Sequence, residues 1–344
     1  MHEMTDEDRM YSVRSAPWHL GTGTNVLMLD TAPETRTARM EASGQAWTVE
    51  TEPVYRKLTR EVSTFDGWSR GTVESTTYPE VPDWQLLTRS DTGSLLHVAR
   101  GTYEVVQNVV GHELFEVLST GARLDDGTGG TVKGGAVCYL AARLDEPQTV
   151  NGDTSPIYPY VVVTWAHDGS GAIQARRTNV RVVCWNTLSL SETEARRAGR
   201  AFTFRHTARV LERIDEAKRV IAGMRDEAAA FIELSNELAA IPVTDTQREL
   251  FVERFIPAPV AEVVSDRVRQ NIEDARTAVR GIFSSPTIPE VHRNTAYGLV
   301  SAGVEYLDHL RGARNSDTYL GRTLLRDEAL KSKLIPMVRE LVSA

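Results

Sequence analysis

The 344-residue chain has few cysteines and no long apolar run, and each of these shortages excludes a class of protein. Its two cysteines, Cys138 and Cys184, form no CxxC pair and no cluster with histidine at zinc-ligand spacing. No apolar stretch approaches the roughly 18 residues that cross a bilayer, and the acidic first eight residues do not resemble a signal peptide. We therefore expect a cytoplasmic protein with no membrane partner and with both cysteines buried as thiols.

Motifs for nucleotide binding and catalysis are also missing, since the sequence has neither GxSxG nor HExxH. The glycine-rich segment Gly127–Gly135 contains Lys133, but Gly134 stands where a phosphate loop needs Ser or Thr to hold magnesium. We expect a flexible loop there, too rich in glycine to form a strand. The alternative is a basic loop that closes over a backbone phosphate. The sequence thus predicts no catalytic residue, no cofactor and no bound metal.

Composition and periodicity predict an α+β protein in three parts. Apolar residues make up 41% and charged residues 25%, as in globular proteins. The parts are an irregular, proline-punctuated N-terminal extension with short β elements (1–83), an α+β core (84–241) and an all-helical C-terminal region (242–344). The core is expected to be an antiparallel β-β-β-α-type arrangement.

The predicted elements follow from alternation for strands and from 3.6-residue spacing for helices. In chain order they are a hairpin of strands 84–88 and 94–100, a strand at 103–106, a helix capped by Asn108, strands at 136–144, 157–165 and 172–183, a helix at about 205–240, and helices at about 245–255, 260–283, 289–312 and 317–342. Thr244 and Gln247 have the spacing of a capping box. Val300, Val304 and Leu307 form an apolar stripe, which fits either an oligomer contact or the protein's own core.

The charge is unevenly distributed along the chain. The net charge is −8, but residues 170–213 contain nine arginines, no lysine and three glutamates, so this segment alone is +6. A basic island in an acidic protein indicates a local anionic partner. An arginine-rich composition without function is the alternative.

The island combines arginine rows with aromatic residues, the ingredients of a groove for single-stranded nucleic acid. On a strand, Arg177 and Arg181 share one face and Arg176 takes the other. The predicted contacts are Lys133, Trp165, His167, Arg176, Arg177, Arg181, Trp185, Asn186, Arg205, His206, Arg209 and Arg213. For some of these residues a structural role is the alternative. Trp185 would then be part of the buried core, and Arg176 and Arg177 would protect the edge of a strand from pairing with another chain.

Several segments carry a resemblance to the phage/plasmid-like protein family, whose function is unassigned. They include Tyr103–Asn108, His167–Ser170, Arg181–Leu188 and Arg205–Thr207. The resemblance implies a phage or plasmid gene product in the host cell cytoplasm. A second, topological resemblance is to single-strand annealing proteins of the RecT and Red beta type, because a helix precedes three antiparallel strands and a long helix. That resemblance implies a homo-oligomer that anneals DNA strands without ATP.

Two hypotheses therefore follow. The first is a phage recombination protein that binds and anneals single-stranded DNA, with a host or phage recombination partner. The alternative is a non-enzymatic phage or plasmid assembly or regulatory protein that acts through protein–protein contacts. A third, an enzyme with a dispersed site, has no support in the motifs.

Overall fold

A computed structural model describes residues 8–14, 26–65, 68–119, 123–144, 146–169, 173–181, 186–188, 202–204, 229–259, 265–312 and 328–343. The predicted contacts outside these residues are Trp185, Arg205, His206, Arg209 and Arg213, and Cys184 lies outside them as well. At Arg181 and Asn186 only the backbone is described. The predictions made for these side chains stay predictions.

The elements confirm the α+β class, with most strands in the N-terminal half and most helices in the C-terminal half. The strands are β1 (Met10–Val13), β2 (Val26–Leu29), β3 (Val49–Tyr55), β4 (Leu58–Phe65), β5 (Arg70–Thr77), β6 (Glu80–Arg89), β7 (Leu95–Arg100), β8 (Arg123–Val132), β9 (Val137–Arg143), β10 (Ile157–Ala166), β11 (Ile173–Arg181), β12 (Asn186–Leu188) and β13 (Phe202–Phe204). The helices are α1 (Arg36–Ala42), α2 (Asn108–Leu118), α3 (229–239), α4 (Asp245–Phe255), α5 (Asp266–Ile282), α6 (Ala296–Glu305), α7 (Glu328–Lys331) and α8 (Leu334–Ser343). A 3₁₀ turn at Glu290–His292 precedes α6, and a π-helical turn at Tyr306–Leu310 follows it.

The main sheet has the order β12–β11–β10–β9–β8–β1–β2, and β13 also pairs with β11. Its centre is the antiparallel meander β9–β10–β11, which confirms the three strands that alternation predicted. β1 pairs antiparallel with β8 and parallel with β2. The first two strands of the N-terminal extension therefore belong to the main sheet, and the expectation that the extension is β-rich is confirmed, whereas the expectation that it is irregular is wrong. The division of the chain at residues 83 and 241 stays a prediction.

Residues 127–132 of the glycine-rich segment lie in the central strand β8, which corrects the prediction of a loop there, and residues 133–135 lie in the turn between β8 and β9. Gly129 and Gly130 pair on one side with β9 and on the other with β1. A Cβ on Gly129 would lie 2.4 Å from Leu140 Cδ2, and one on Gly130 would lie 2.4 Å from Met10 Cβ. These glycines are therefore needed because side chains of the neighbouring strands occupy the space above them, and not because the backbone must be flexible.

A second, three-stranded sheet has the order β3–β6–β7. The predicted hairpin is confirmed as β6–β7, with Gly93 at φ +70° in its turn. Beyond the outer end of β3 and β6, β4 and β5 continue as a two-stranded ladder of their own. The predicted strand at 103–106 is wrong, since these residues are extended chain without a ladder that leads into α2.

Apolar side chains are buried in two clusters. The first lies between α2, the meander and the second sheet, and includes Leu114, Phe115, Val161 and Trp165. The second is formed by the C-terminal helices together with Val150 and Ile157. The stripe Val300, Val304 and Leu307 is buried in this second cluster, so it packs the protein's own core and not an oligomer contact. The capping box of Thr244 and Gln247 at the start of α4 is confirmed.

Candidate nucleic-acid interface

The meander β9–β10–β11 has two faces of different character. Alternation and register place Val161, Val163 and Trp165 of β10 on the face that α2 covers. The approach of α2 is very close, because a Cβ on Gly111 would lie 2.6 Å from the Trp165 indole. This face is therefore interior and inaccessible to a ligand of any size.

A buried amide organises the interior face. Asn108 Oδ1 accepts a hydrogen bond from Trp165 Nε1 at 2.9 Å and lies 2.9 Å from His167 Nε2. Asn108 Nδ2 donates to the backbone carbonyl oxygens of Gln45 and Trp47, both at 3.1 Å. The side chain of Asn108 therefore joins α2, β10 and the chain that leads into β3. Gln107 holds the N-cap position, so the prediction that Asn108 caps α2 is wrong.

The polar network continues through His112, one turn further along α2. His112 Nε2 lies 2.6 Å from Gln45 Oε1, and Arg39 Nε donates to His112 Nδ1 at 3.2 Å. Because Arg39 donates to Nδ1, the ring is neutral and carries its proton on Nε2. Burial, reinforced by the charge of Arg39, lowers the pKa of His112 from its usual range to about 3.

Acidic side chains at the outer end of α2 complete the network. Arg39 and Arg36 both pair with Glu116, and Arg36 Nη1 also donates to Glu113 Oε1 at 2.6 Å. The hydrogen bond from Arg36 holds the pKa of the Glu116 carboxyl below its usual range. The network therefore pairs its charged groups, including the buried Arg39 with Glu116, and leaves the other buried groups neutral, an arrangement that a low-dielectric interior tolerates.

Three predicted nucleic-acid contacts lie on this interior face and are corrected. Trp165 and His167 are each 1% exposed, and Arg177 is 7% exposed. Arg177 Nη1 donates to Asn179 Oδ1 of its own strand at 2.7 Å. An indole or guanidinium held in this way has no free surface on which a base could stack or a phosphate could rest.

Lys133 is half-buried and forms an ion pair. It stands in the β8–β9 turn with φ +58°, a conformation that a residue with a side chain rarely adopts. Its Nζ lies 2.9 Å from Asp168 Oδ2 in the turn that follows β10. The pair fastens two turns to each other, and Asp168 neutralises the charge that a phosphate would need.

The opposite face of the meander carries one predicted contact, Arg176, together with three basic or aromatic residues that were not predicted. Register places Arg176 opposite Val162 and Arg143 opposite Tyr160 on this face. The guanidinium of Arg143 lies 3.7 Å from the ring centroid of Tyr158, and all four polar side chains are half-buried. We call Arg143, Tyr158, Tyr160 and Arg176 the Arg143–Arg176 face. The even spacing of Tyr158, Tyr160 and Val162 was the sequence signal that could have identified the two tyrosines.

A cavity of about 330 Å³ lies at the edge of the second sheet. The Arg89 guanidinium packs 4.6 Å above the Trp47 ring, binds both carboxylate oxygens of Asp91 and donates to Gly134 O at 2.9 Å. The cavity lining combines these groups with Arg9, Glu41, Gly44, Ala46 and Thr92.

A profile described as a domain of unknown function, DUF932, matches residues 95–329, which is more than half of the chain. The chain belongs to the DUF932 family. The matched DUF932 region contains Asn108, the whole meander and the Arg143–Arg176 face, whereas β4 and β5 precede it. No curated protein and no solved structure matches the chain.

Among the described residues, no helix combines the length and the apolarity needed to cross a bilayer. In the same part of the chain, no three histidine, cysteine or acidic residues are grouped so that they could hold a metal ion.

Proposed function

We propose that this DUF932 protein binds single-stranded DNA on the Arg143–Arg176 face and promotes annealing of complementary strands without ATP. In this proposal it is a phage or plasmid recombination protein that works in the host cytoplasm as a homo-oligomer. The observation that carries the proposal is that two arginines and two tyrosines share one face of the meander, with the Arg143 guanidinium 3.7 Å from the centroid of the Tyr158 ring. Guanidinium groups neutralise backbone phosphates, and aromatic rings stack on bases without sequence preference.

The Arg143–Arg176 face shares one residue with the basic island of the sequence. Arg176 lies on β11, inside the +6 segment of residues 170–213, and β11 runs next to β10, which supplies Tyr158 and Tyr160. The predicted helical row of Arg205, Arg209 and Arg213 belongs to the same island. Phosphate contacts from this island would supply the sequence-independent part of the affinity.

The order of elements supports annealing as the reaction. In the described residues α2 precedes the antiparallel strands β8–β11, which is one strand more than the helix and three strands on which the resemblance to annealing proteins rests, and most of the predicted long helix lies outside these residues. Annealing needs no energy source beyond base pairing, because the protein has only to hold strands in extended form and bring them together. This conclusion rests on topological analogy.

Assembly would explain how an acidic chain holds a long polyanion. One small basic surface on a protein of charge −8 gives weak binding, especially at physiological salt. Repeating the surface along an oligomer makes every contact after the first intramolecular and so raises the overall affinity.

The test is the salt dependence of oligonucleotide binding by an Arg143→Ala/Arg176→Ala variant. Each phosphate contact on a single strand contributes about 0.7 to the log–log salt slope, so the variant should lower the slope by about 1.4. The matched control is Arg254→Ala/Arg269→Ala, which removes two exposed arginines from α4 and α5 and should leave the slope unchanged. Equal slopes for both variants would remove this face from the proposal. Stable oligomers of the wild type that ignore nucleic acid would favour the alternative of an assembly or regulatory protein.

A further inference from the structure

A tight turn just before β10 carries the sequence Asn151–Gly152. Of the nine asparagines in the chain, Asn151 alone is followed by glycine. Asp153 N donates to Val150 O at 2.9 Å, so Asn151 and Gly152 are the two central residues of a four-residue turn. Gly152 has φ +80°, which glycine adopts without strain. The backbone of the turn therefore explains the glycine, and the glycine in turn changes the chemistry of the asparagine before it.

Both groups that react in an asparaginyl–glycyl sequence are accessible here. Asn151 and Gly152 are exposed. Asn151 is held through its backbone, since Asn151 N donates to Asn236 Oδ1 at 2.7 Å. Among the described residues, neither the side-chain amide of Asn151 nor the backbone N–H of Gly152 has a hydrogen-bond partner. Gly152 also has no Cβ that could obstruct the approach of its nitrogen to the neighbouring amide.

We propose that Asn151 deamidates spontaneously in the folded protein. The backbone nitrogen of Gly152 loses its proton to hydroxide and forms a bond to Cγ of Asn151, and the side-chain nitrogen leaves as ammonia. The product is a five-membered succinimide ring. Water then adds to one of the two carbonyl carbons of the ring and opens it, which leaves either aspartate or isoaspartate at position 151. The reaction does not depend on whether the protein binds nucleic acid.

The turn that contains Asp168–Gly169 has the same glycine and a different chemistry. The carboxylate of Asp168 forms an ion pair with Lys133, and a charged carboxylate resists attack by a nucleophile. Gly169 is also covered, because a Cβ on it would lie 2.8 Å from His97 Nε2. We therefore expect the modification at Asn151 and not at this second turn.

The modified turn lies where the meander meets the C-terminal helices. Val150 precedes the turn, Ile157 begins β10, and both are buried in the second cluster with side chains of those helices. The bond from Asn151 N to Asn236 ties the turn to α3. Isoaspartate adds one carbon atom to the main chain, so the turn can no longer satisfy both the burial of Val150 and the bond to Asn236. Deamidation would therefore loosen the link between the sheet and the helices.

The experiment incubates the purified full-length protein at pH 7 and pH 9 and follows each asparagine by peptide mass spectrometry, after digestion with pepsin at acidic pH to stop the reaction. Asn151 should deamidate roughly tenfold faster than Asn271, which is exposed on α5 and followed by isoleucine, because glycine leaves the attacking nitrogen unobstructed. The rate should rise at pH 9, where more hydroxide is present. Aspartate and isoaspartate peptides, which separate by chromatography, should both accumulate.

Two references complete the experiment. The variant Asn151→Gln keeps an amide at the exposed position, but its cyclisation needs a less favourable six-membered ring, so its peptide should stay unmodified. The wild type in guanidinium chloride gives the rate of the same sequence without the fold. An Asn151 that stays intact in the folded protein while it reacts in denaturant would overturn the proposal, and so would a native rate no greater than that of Asn271.

Thermal unfolding of the incubated proteins tests the consequence for the fold. Incubated wild type should melt at a lower temperature than fresh protein, whereas Asn151→Gln should melt at the same temperature before and after incubation. A wild type that contains isoaspartate and melts as the fresh protein does would overturn the loosened link. It would leave the modification site itself supported by the mass spectra.

Discussion

The indole nitrogen of Trp165 donates to the amide oxygen of Asn108 at 2.9 Å, and His167 Nε2 lies at the same distance from that oxygen. One asparagine at the start of α2 therefore fixes two aromatic side chains at the end of β10. Residues that look like nucleic-acid ligands in the sequence serve in this way to attach a helix to a sheet. The interior face of the meander is consequently closed to ligands.

Replacement of Asn108 by alanine should destabilise the protein strongly. It would leave the Trp165 indole and the carbonyl oxygens of Gln45 and Trp47 buried without a partner, at about 1–3 kcal/mol for each group. We expect the free energy of unfolding in urea to fall by roughly 3 kcal/mol or more. Asn271→Ala, at an exposed position of α5, is the matched control and should change it by less than about 0.5 kcal/mol. Similar midpoints for the two variants would contradict the structural role of Asn108.

Alanine at Gly130 should destabilise the sheet, since its Cβ would lie 2.4 Å from Met10 Cβ and 2.7 Å from Arg9 O. Overpacking of this kind lowers the free energy of unfolding by about 1–3 kcal/mol. Gly281→Ala in α5 is the control, because nothing lies within 4 Å of the added carbon and alanine favours helix. Thermal unfolding should move the two melting temperatures in opposite directions. A Gly130→Ala protein as stable as the wild type would mean that the segment is not a central strand.

The stability of the protein should depend on pH through His112. Its folded pKa of about 3 lies below the value of about 6.5 expected in the unfolded chain. The unfolded state therefore takes up a proton first, and stability present above about pH 6.5 is lost as the pH falls towards 3. The loss from this residue is at most about 1.4 kcal/mol per pH unit.

Urea unfolding at pH 7 and pH 5 measures the effect. His112→Gln should be less stable than the wild type at pH 7, and the difference between the two proteins should shrink at pH 5. Neither measurement is made below pH 5, so the titration of carboxyl groups adds little to the change in stability. A difference that stays constant between the two pH values would show that the pKa of His112 is the same in the folded and the unfolded chain.

The thiol of Cys138 should be inert in the native protein. Its Sγ lies within the network, 3.6 Å from Asn108 Oδ1, and burial raises the pKa of the thiol well above its usual range. We expect negligible alkylation of Cys138 at pH 8 and complete alkylation in denaturant, measured by peptide mass spectrometry so that Cys184 is followed separately. Rapid native labelling of Cys138 would contradict its placement in the interior.

The meander and most helices were predictable because their patterns are local. β9, β10 and β11 alternate with period two, and Thr244 and Gln247 form the capping box that their spacing predicts. β8 was missed because its glycines look like a loop until Met10, about 120 residues away, is placed beside them. The β4–β5 ladder was missed because it buries neither face, so the apolar alternation that identifies half-buried strands is absent.

The site was harder to predict, because alternation divides a strand into two faces without saying which one a helix covers. Trp165 shares its face with Val161 and Val163, a pattern that in hindsight favours the interior. Arg143 and Tyr158 lie outside the basic island, and only the register of β9 with β10 and of β10 with β11 brings them towards Arg176. Their proximity is a long-range property of the sheet.

The most direct measurement of the central claim is the rate at which two complementary 40-nucleotide strands, labelled with a donor and an acceptor fluorophore, anneal without any nucleotide triphosphate. The wild type should raise this annealing rate above the spontaneous rate. The variant Arg143→Ala/Arg176→Ala should lose most of this increase, so that its rate is close to the spontaneous one. Arg254→Ala/Arg269→Ala should anneal as the wild type does. A wild-type rate equal to the spontaneous rate, at protein concentrations that saturate the strands, would contradict the account.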